Sequence, residues 1–108
     1  MSLYLGIDIG TSGCRGCLID ANAAIQATAT APLPAPRRDG AAVEQDPEHW
    51  WTALEGILDR LQARGTLAEV VAIAVAGTSS TLLLCDAAGT PLAPALMYND
   101  TRAVTAAR

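Results

Sequence analysis

Leu3, Leu5, Ile7 and Ile9 alternate with Tyr4, Gly6, Asp8 and Gly10, and the run breaks into Gly10-Thr11-Ser12-Gly13. Alternation with period two marks a strand with one buried face. The strand ends in an acid and then a turn of small residues, so the fold must hold Asp8 at the tip of a β-strand. Residues 14–19 resume β character, Asp20-Ala21-Asn22-Ala23 makes a second turn, and residues 24–30 read as a third strand despite alanine being a poor strand former. The expectation is a three-strand antiparallel meander.

Residues 32–45 contain Pro32, Pro34, Pro36 and Gly40 and read as an irregular connection. A helix start follows, with Asp46 as cap and Pro47 at the first helical position. Trp50, Leu54, Ile57, Leu58 and Leu61 recur at helical spacing, giving one apolar face, and Gly65 is placed to end the helix. Trp50 belongs to the core by this spacing, and Trp51 covers a neighbouring element. Val70 to Ala76 is a continuous apolar run, the pattern of a strand buried on both faces. Gly77-Thr78-Ser79-Ser80 breaks it. Residues 81–85 read as a further strand, Asp86-Ala87-Ala88-Gly89 as a turn, and residues 95–98 as a short last strand. Asn99-Asp100-Thr101-Arg102 leads into a helix that the chain barely begins.

Several function classes are set aside by composition. The 7 Lys and Arg against 11 Asp and Glu give a net charge of -4, which disfavours nucleic acid or an anionic membrane as partner. Arg37-Arg38 is the one adjacent basic pair and reads as a solvated loop. No apolar run approaches the ~20 residues of a membrane span. No basic segment precedes residues 3–9, so no leader is read there and the expected compartment is the cytoplasm. The Asn99-Asp100-Thr101 sequon then carries no meaning. Cys14 and Cys17 form a C-x-x-C, but only Cys85 and His49 remain as further ligands for zinc, and on a strand the two sulfurs face opposite ways. Buried, reduced cysteines are the expected state.

Three segments can carry chemistry. In Asp8-Ile9-Gly10-Thr11-Ser12-Gly13-Cys14-Arg15, Gly10 and Gly13 allow close backbone approach, and successive N–H groups with the Thr11 and Ser12 hydroxyls can surround a phosphate. Asp8 can hold Mg²⁺ through water, and Arg15 can offset phosphate charge. A plain hairpin turn is the alternative, and neither G-x-x-x-x-G-K-[ST] nor G-x-G-x-x-G is present. Thr78-Ser79-Ser80 follows a parallel-type strand, where open α/β sheets place ligands, and can bind sugar hydroxyls or simply turn the chain. Tyr98-Asn99-Asp100 can line a polyol pocket or cap a helix. His49 reads as a surface residue, and Glu44 and Asp46 as loop and cap.

Taken together, these segments resemble the FGGY carbohydrate kinase family. Leu5 to Arg15 resembles the family's first phosphate motif, and Glu44-Gln45-Asp46-Pro47-Glu48-His49-Trp50-Trp51 resembles its segment before the first helix. Gly77 to Thr81 with Asp86 to Leu92, and Pro94 to Ala103, resemble the following strand pair and the "W-N-D-x-R" segment. The resemblance implies an α/β fold, half of an actin-like (ribonuclease H-like) ATPase domain: a mixed sheet with the three-strand meander and one main helix. Residues 1–108 would be the first part of the amino-terminal domain, without the second domain. The implied reaction is transfer of the γ-phosphate of ATP to a sugar or polyol hydroxyl with Mg²⁺. Asp8 would then be the catalytic and metal-organising acid. Gly10, Thr11, Ser12, Gly13 and Arg15 would meet the ATP phosphates, and Thr78, Ser79, Ser80, Tyr98, Asn99 and Asp100 would face the sugar.

Three departures bear on substrate. Glycerol kinases carry Arg-Glu, and xylulose kinases Met-His, where this chain has Thr78-Ser79-Ser80, and the usual Trp is Tyr98. The pattern suits a ribulose or xylulose kinase-like branch and a ketopentose acceptor. The family's proton-accepting Asp and its adenine site fall beyond residue 108, so the chain alone is expected to be inactive. A homodimer is the separate expectation for the full-length protein. Two other readings stand beside this one: a different actin-like small-molecule kinase, or a non-catalytic half-domain that self-associates or binds a partner through an unpaired sheet edge.

Overall fold

The computed structural model describes residues 1–64, 67–104 and 106. Strands β1 (Leu3–Ile9), β2 (Gly13–Ile19) and β3 (Ile25–Pro32) form the expected antiparallel meander. Asp20 closes the second turn, its Oδ1 accepting from the backbone N–H of Asn22 and Ala24. The connection after β3 differs from the expectation. It holds a hairpin, β4 (Arg37–Asp39) and β5 (Ala42–Gln45), turned at Gly40 with φ +59°. Asp39-Gly40 is a hairpin signal by itself. The prolines and the very short strands concealed it.

Helix α1 spans Pro47–Gln62, with the Asp46 side chain accepting from Glu48 N–H and Pro47 in the first turn. Ala63 caps its far end, and Gly65 lies outside the described residues. Strand β6 (Val70–Gly77) then pairs parallel with β1, giving the order β3-β2-β1-β6. Residues 81–85 do not form the expected strand. Leu82 and Cys85 make single bridges to Leu96 and Pro91, and Leu84 O accepts from Leu92 N–H. The last strand, β7 (Ala95–Leu96), is only two residues long and pairs with β5 in a second sheet of order β4-β5-β7. A 3-10 turn at Arg102–Val104 follows.

The core sits between α1 and one face of the meander. Leu3, Leu5 and Ile7 of β1, Cys14 and Leu18 of β2, and Ala27, Ala29 and Ala31 of β3 meet Ala53, Ile57 and Leu61 of the helix. The alanines explain the composition: small side chains on β3 let the helix lie close to the sheet. Gly16 shows how close, since a Cβ there would stand 2.6 Å from Ile57 Cγ2. Arg60 adds a hydrogen bond to Thr30 O.

The apolar run in β6 is not buried as its pattern implies. Val71, Ile73 and Val75 are 62%, 60% and 65% exposed, because α1 packs over β2 and β3 and not over β6. Trp51 is likewise largely exposed and stands outside the core cluster, whereas Trp50 packs partly buried against the core.

Gly16→Ala is expected to cost about 1–3 kcal/mol, because an added methyl forces the helix or its rotamers outward. Chemical denaturation measures the loss. The double variant with Ile57→Ala should lose less than the sum of the two single changes.

Candidate active site

The loop after β1 is tightly closed. Gly10 N–H donates to Gly13 O at 2.9 Å, and Leu33 N–H donates to Ser12 O at 3.0 Å. A Cβ on Gly10 would stand 3.0 Å from Gly13 O, and one on Gly13 would stand 3.0 Å from Ala31 O. These glycines therefore let the turn pack on itself and on β3. The Gly10 N–H is thereby engaged by Gly13 O. Thr11 and Ser12 remain at the tip.

Parallel pairing sets Ile9 opposite Gly77, so the loops after β1 and β6 leave the sheet side by side. Ligands of open α/β sheets bind at such carboxyl ends. In the second loop, Thr78 Oγ1 and Thr81 Oγ1 lie 2.5 Å apart, and Ser80 adopts φ 60°. A left-handed non-glycine residue carries backbone strain. The third segment arrives through the small sheet, where Met97 N–H donates to Val43 O at 2.9 Å. The result is an open groove of about 420 Å³ lined by Thr11, Thr78, Ser79, Ser80 and Tyr98. All three predicted segments reach it.

Asp8 and Arg15 do not line this groove but flank its Thr11 tip in the chain, three residues before it and four after. They are cross-strand partners on the sheet face opposite α1 and share a shallow groove of about 340 Å³ with Cys17 and Ala76. Asp8 is exposed and forms no ion pair among the described residues. Cys14 faces the core and Cys17 the open side, as alternation requires. Burial, with the Asp8 charge adding to it, pushes the Cys14 thiol up. Cys85, expected to be buried, is exposed. The loop around it lies on the surface instead of forming a central strand.

Asp100 does not open onto the groove either. Its side chain is 4% exposed, and its Oδ2 accepts from Val43 N–H at 2.8 Å and from the Arg102 guanidinium at 2.7 Å. Arg102 also reaches Glu44 Oε1 at 2.7 Å, and Arg37 reaches Glu44 Oε2 at 3.2 Å. Asp100 thus clasps the last segment to β5, and its oxygens are already engaged by these donors. Hydrogen bonds from Arg102 hold its carboxyl well below the usual range, with Val43 and Arg102 backbone N–H groups adding and burial opposing. Beside it, Asn99 Oδ1 is buried and has no hydrogen-bond partner among the described residues.

The residue that sequence reasoning missed is Gln45, 3% exposed on β5. Its Nε2 donates to Thr11 O at 3.2 Å and Pro34 O at 3.3 Å, and its Oε1 accepts from Trp50 Nε1 at 2.8 Å. Spacing two from Val43 was the available signal. His49 is exposed, as expected. Among the described residues, no cluster of three or more His, Cys, Asp or Glu is placed for a metal, and no helix is long and apolar enough to cross a membrane.

Residues 3–108 match the model of the FGGY family of carbohydrate kinases, N-terminal domain. The chain belongs to this family. It is 36% identical over 100 residues to xylulose kinase from Escherichia coli, covering 93% of this chain and 21% of that enzyme. A xylulose kinase sequence from an Arthrobacter species is 34% identical over 102 residues, covering 94% of this chain and 98% of that sequence. A crystal structure of a xylulose kinase from Brucella ovis superposes with a TM-score of 0.87 at 32% identity, covering 94% of this chain and 22% of the other. The fold is therefore the actin-like one of FGGY kinases. The chain spans about a fifth of the length of most of the relatives it matches.

Two outcomes follow from the charges and thiols. The Asp100 carboxyl has a depressed pKa when folded, so its contribution to stability is full above the ordinary Asp value of ~3.9 and is lost as pH falls below it. Thermal melts from pH 7 down to about pH 2.5 should show Asp100→Asn less stable at neutral pH and less acid-sensitive; parallel slopes would count against the clasp. With a thiol reagent near pH 8, Cys85 should react first and Cys14 last, because the thiolate is the reactive form.

Proposed function

We propose that the protein carrying this chain transfers the γ-phosphate of ATP to a hydroxyl of a sugar or polyol, with a ketopentose as acceptor. The observation that carries this reading is the single groove in which Thr11 of the phosphate motif meets Thr78, Ser79, Ser80 and Tyr98. In that groove the hydroxyls of the three segments bind and orient a polyol beside the loop that cradles phosphate. Phosphoryl transfer asks for little else than positioning and charge stabilisation. The acceptor class is supported by relatives named as xylulose kinases, although Thr78-Ser79-Ser80 differs from the Met-His expected of that branch.

Thr11, Ser12 and Gly13 take the phosphate side in this reading, with Arg15 beside Asp8 offsetting charge. Tyr98 and Asn99 take the sugar side, Tyr98 lining the groove and Asn99 next to it in the chain. Asp100 acts through its clasp. Asp8 fits Mg²⁺: it is an exposed, unpaired hard carboxylate at the end of β1, and Mg²⁺ binds through one or two carboxylates while keeping water. The ion would supply charge neutralisation on the transferring phosphate. The chain by itself is expected to be inactive and, with β6 uncovered, to self-associate.

A coupled ATPase screen of ketopentoses, aldoses and polyols on the full-length protein tests the reading. Activity on one ketopentose is expected, with Asp8→Ala lowering kcat/KM about 100-fold or more, the scale of losing a group that stabilises developing charge. Activity confined to polyols would overturn the acceptor, and activity on none would overturn the kinase reading.

A further inference from the structure

We propose that Gln45 is a positioning residue for the phosphate loop, with its amide orientation selected by Trp50. Its catalytic consequence rests on the kinase reading above, while its structural consequence does not.

Gln45 is buried, so each polar atom of its amide must find a partner or bear a desolvation cost. An indole N–H can only donate, so Trp50 Nε1 can be met only by the amide oxygen. That turns the NH₂ group toward the two carbonyls opposite, Thr11 O and Pro34 O. The flipped amide would set N–H against N–H on one side and oxygen against two carbonyls on the other. Helix α1 therefore reads out, through one hydrogen bond, where the tip of the phosphate loop sits.

The same strand holds the opposite wall of the groove. Val43 O accepts from Met97 N–H, Val43 N–H donates to Asp100, and Gln45 pairs in register with Ala95. Thr11 and Tyr98, which face the same groove, are thus both referenced to four residues of β5. A shift of β5, or loss of the Gln45 contact, changes the separation between the phosphate wall and the sugar wall without removing any group that touches substrate. Near-attack geometry is sensitive to such displacements.

The test uses the full-length protein and three variants. Gln45→Glu keeps the shape and the acceptor for Trp50 but loses both N–H donors. Trp50→Phe keeps Gln45 but frees its orientation. Leu3→Ala opens a cavity in the same core at the end of β1 away from the groove and serves as the control. The expected result is a fall of about ten- to a hundredfold in kcat for Gln45→Glu, a smaller fall for Trp50→Phe, and little change in acceptor KM. Leu3→Ala should keep its kcat per folded molecule. Hydrogen–deuterium exchange in the peptide covering residues 9–14 should rise in both Gln45→Glu and Trp50→Phe.

Wild-type kcat in both variants would overturn the proposal, as would unchanged exchange in that peptide. If Gln45→Glu fails to fold, Trp50→Phe decides by the same two readouts. A wild-type protein without sugar kinase activity would sink the kinase reading alone, and the exchange measurement would then decide the role of Gln45.

Discussion

The parallel pairing of β1 with β6 is the contact on which the candidate site depends. Its register sets Asp8 opposite Ala76 and Ile9 opposite Gly77, so the two strands end together. Two loops rich in hydroxyls and glycine then leave the sheet at the same level. A parallel neighbour cannot be reached by a tight turn, and the chain must first travel through β3, the β4–β5 hairpin and α1. That detour carries the groove's supports with it, since β5 and Trp50 of α1 both lie on the way.

The seam between α1 and the meander determines how close these parts come. Gly16 and the three alanines of β3 leave no bulk between sheet and helix, and Ile57 and Leu61 fill the remaining space with no measurable exposure. Close-packed interiors respond to even one extra methyl group. The helix is therefore held at a defined height, and its Trp50 indole meets Gln45 at hydrogen-bond distance because of it. The two layers of contact, apolar below and polar at the end of β5, act as one support for the Thr11 loop.

β6 tells the opposite story. Its sequence has the continuous apolar character of a strand covered on both faces, yet its residues are open to solvent in the described structure. The open face also carries Asp8, Arg15 and Cys17. An exposed apolar patch of this kind is the character of a surface that contacts another surface.

Local chemistry carried much of the fold. Period-two alternation over Leu3–Ile9, the Asp46-Pro47 start and the 3.6-residue spacing of Leu54, Ile57 and Leu61 each depend on near neighbours, so the meander and the helix were legible in the sequence alone. The hydroxyl loops and the Asp8 turn were legible as candidates for the same reason. The sequence did not reveal the β4–β5 hairpin, the loss of the 81–85 strand, the clasp role of Asp100 or the bridging amide of Gln45. The hairpin pairs residues only three to seven apart and was hidden by its short strands, whereas the clasp and the bridging amide draw on distant partners, such as Glu44 with Arg102 and Gln45 with Thr11. Backbone propensity acts over a few residues, whereas a buried polar group is satisfied by whichever segment the tertiary fold brings alongside. The sequence by itself determined which residues could do chemistry. Only the tertiary structure decided which of them share a groove and which hold it in place.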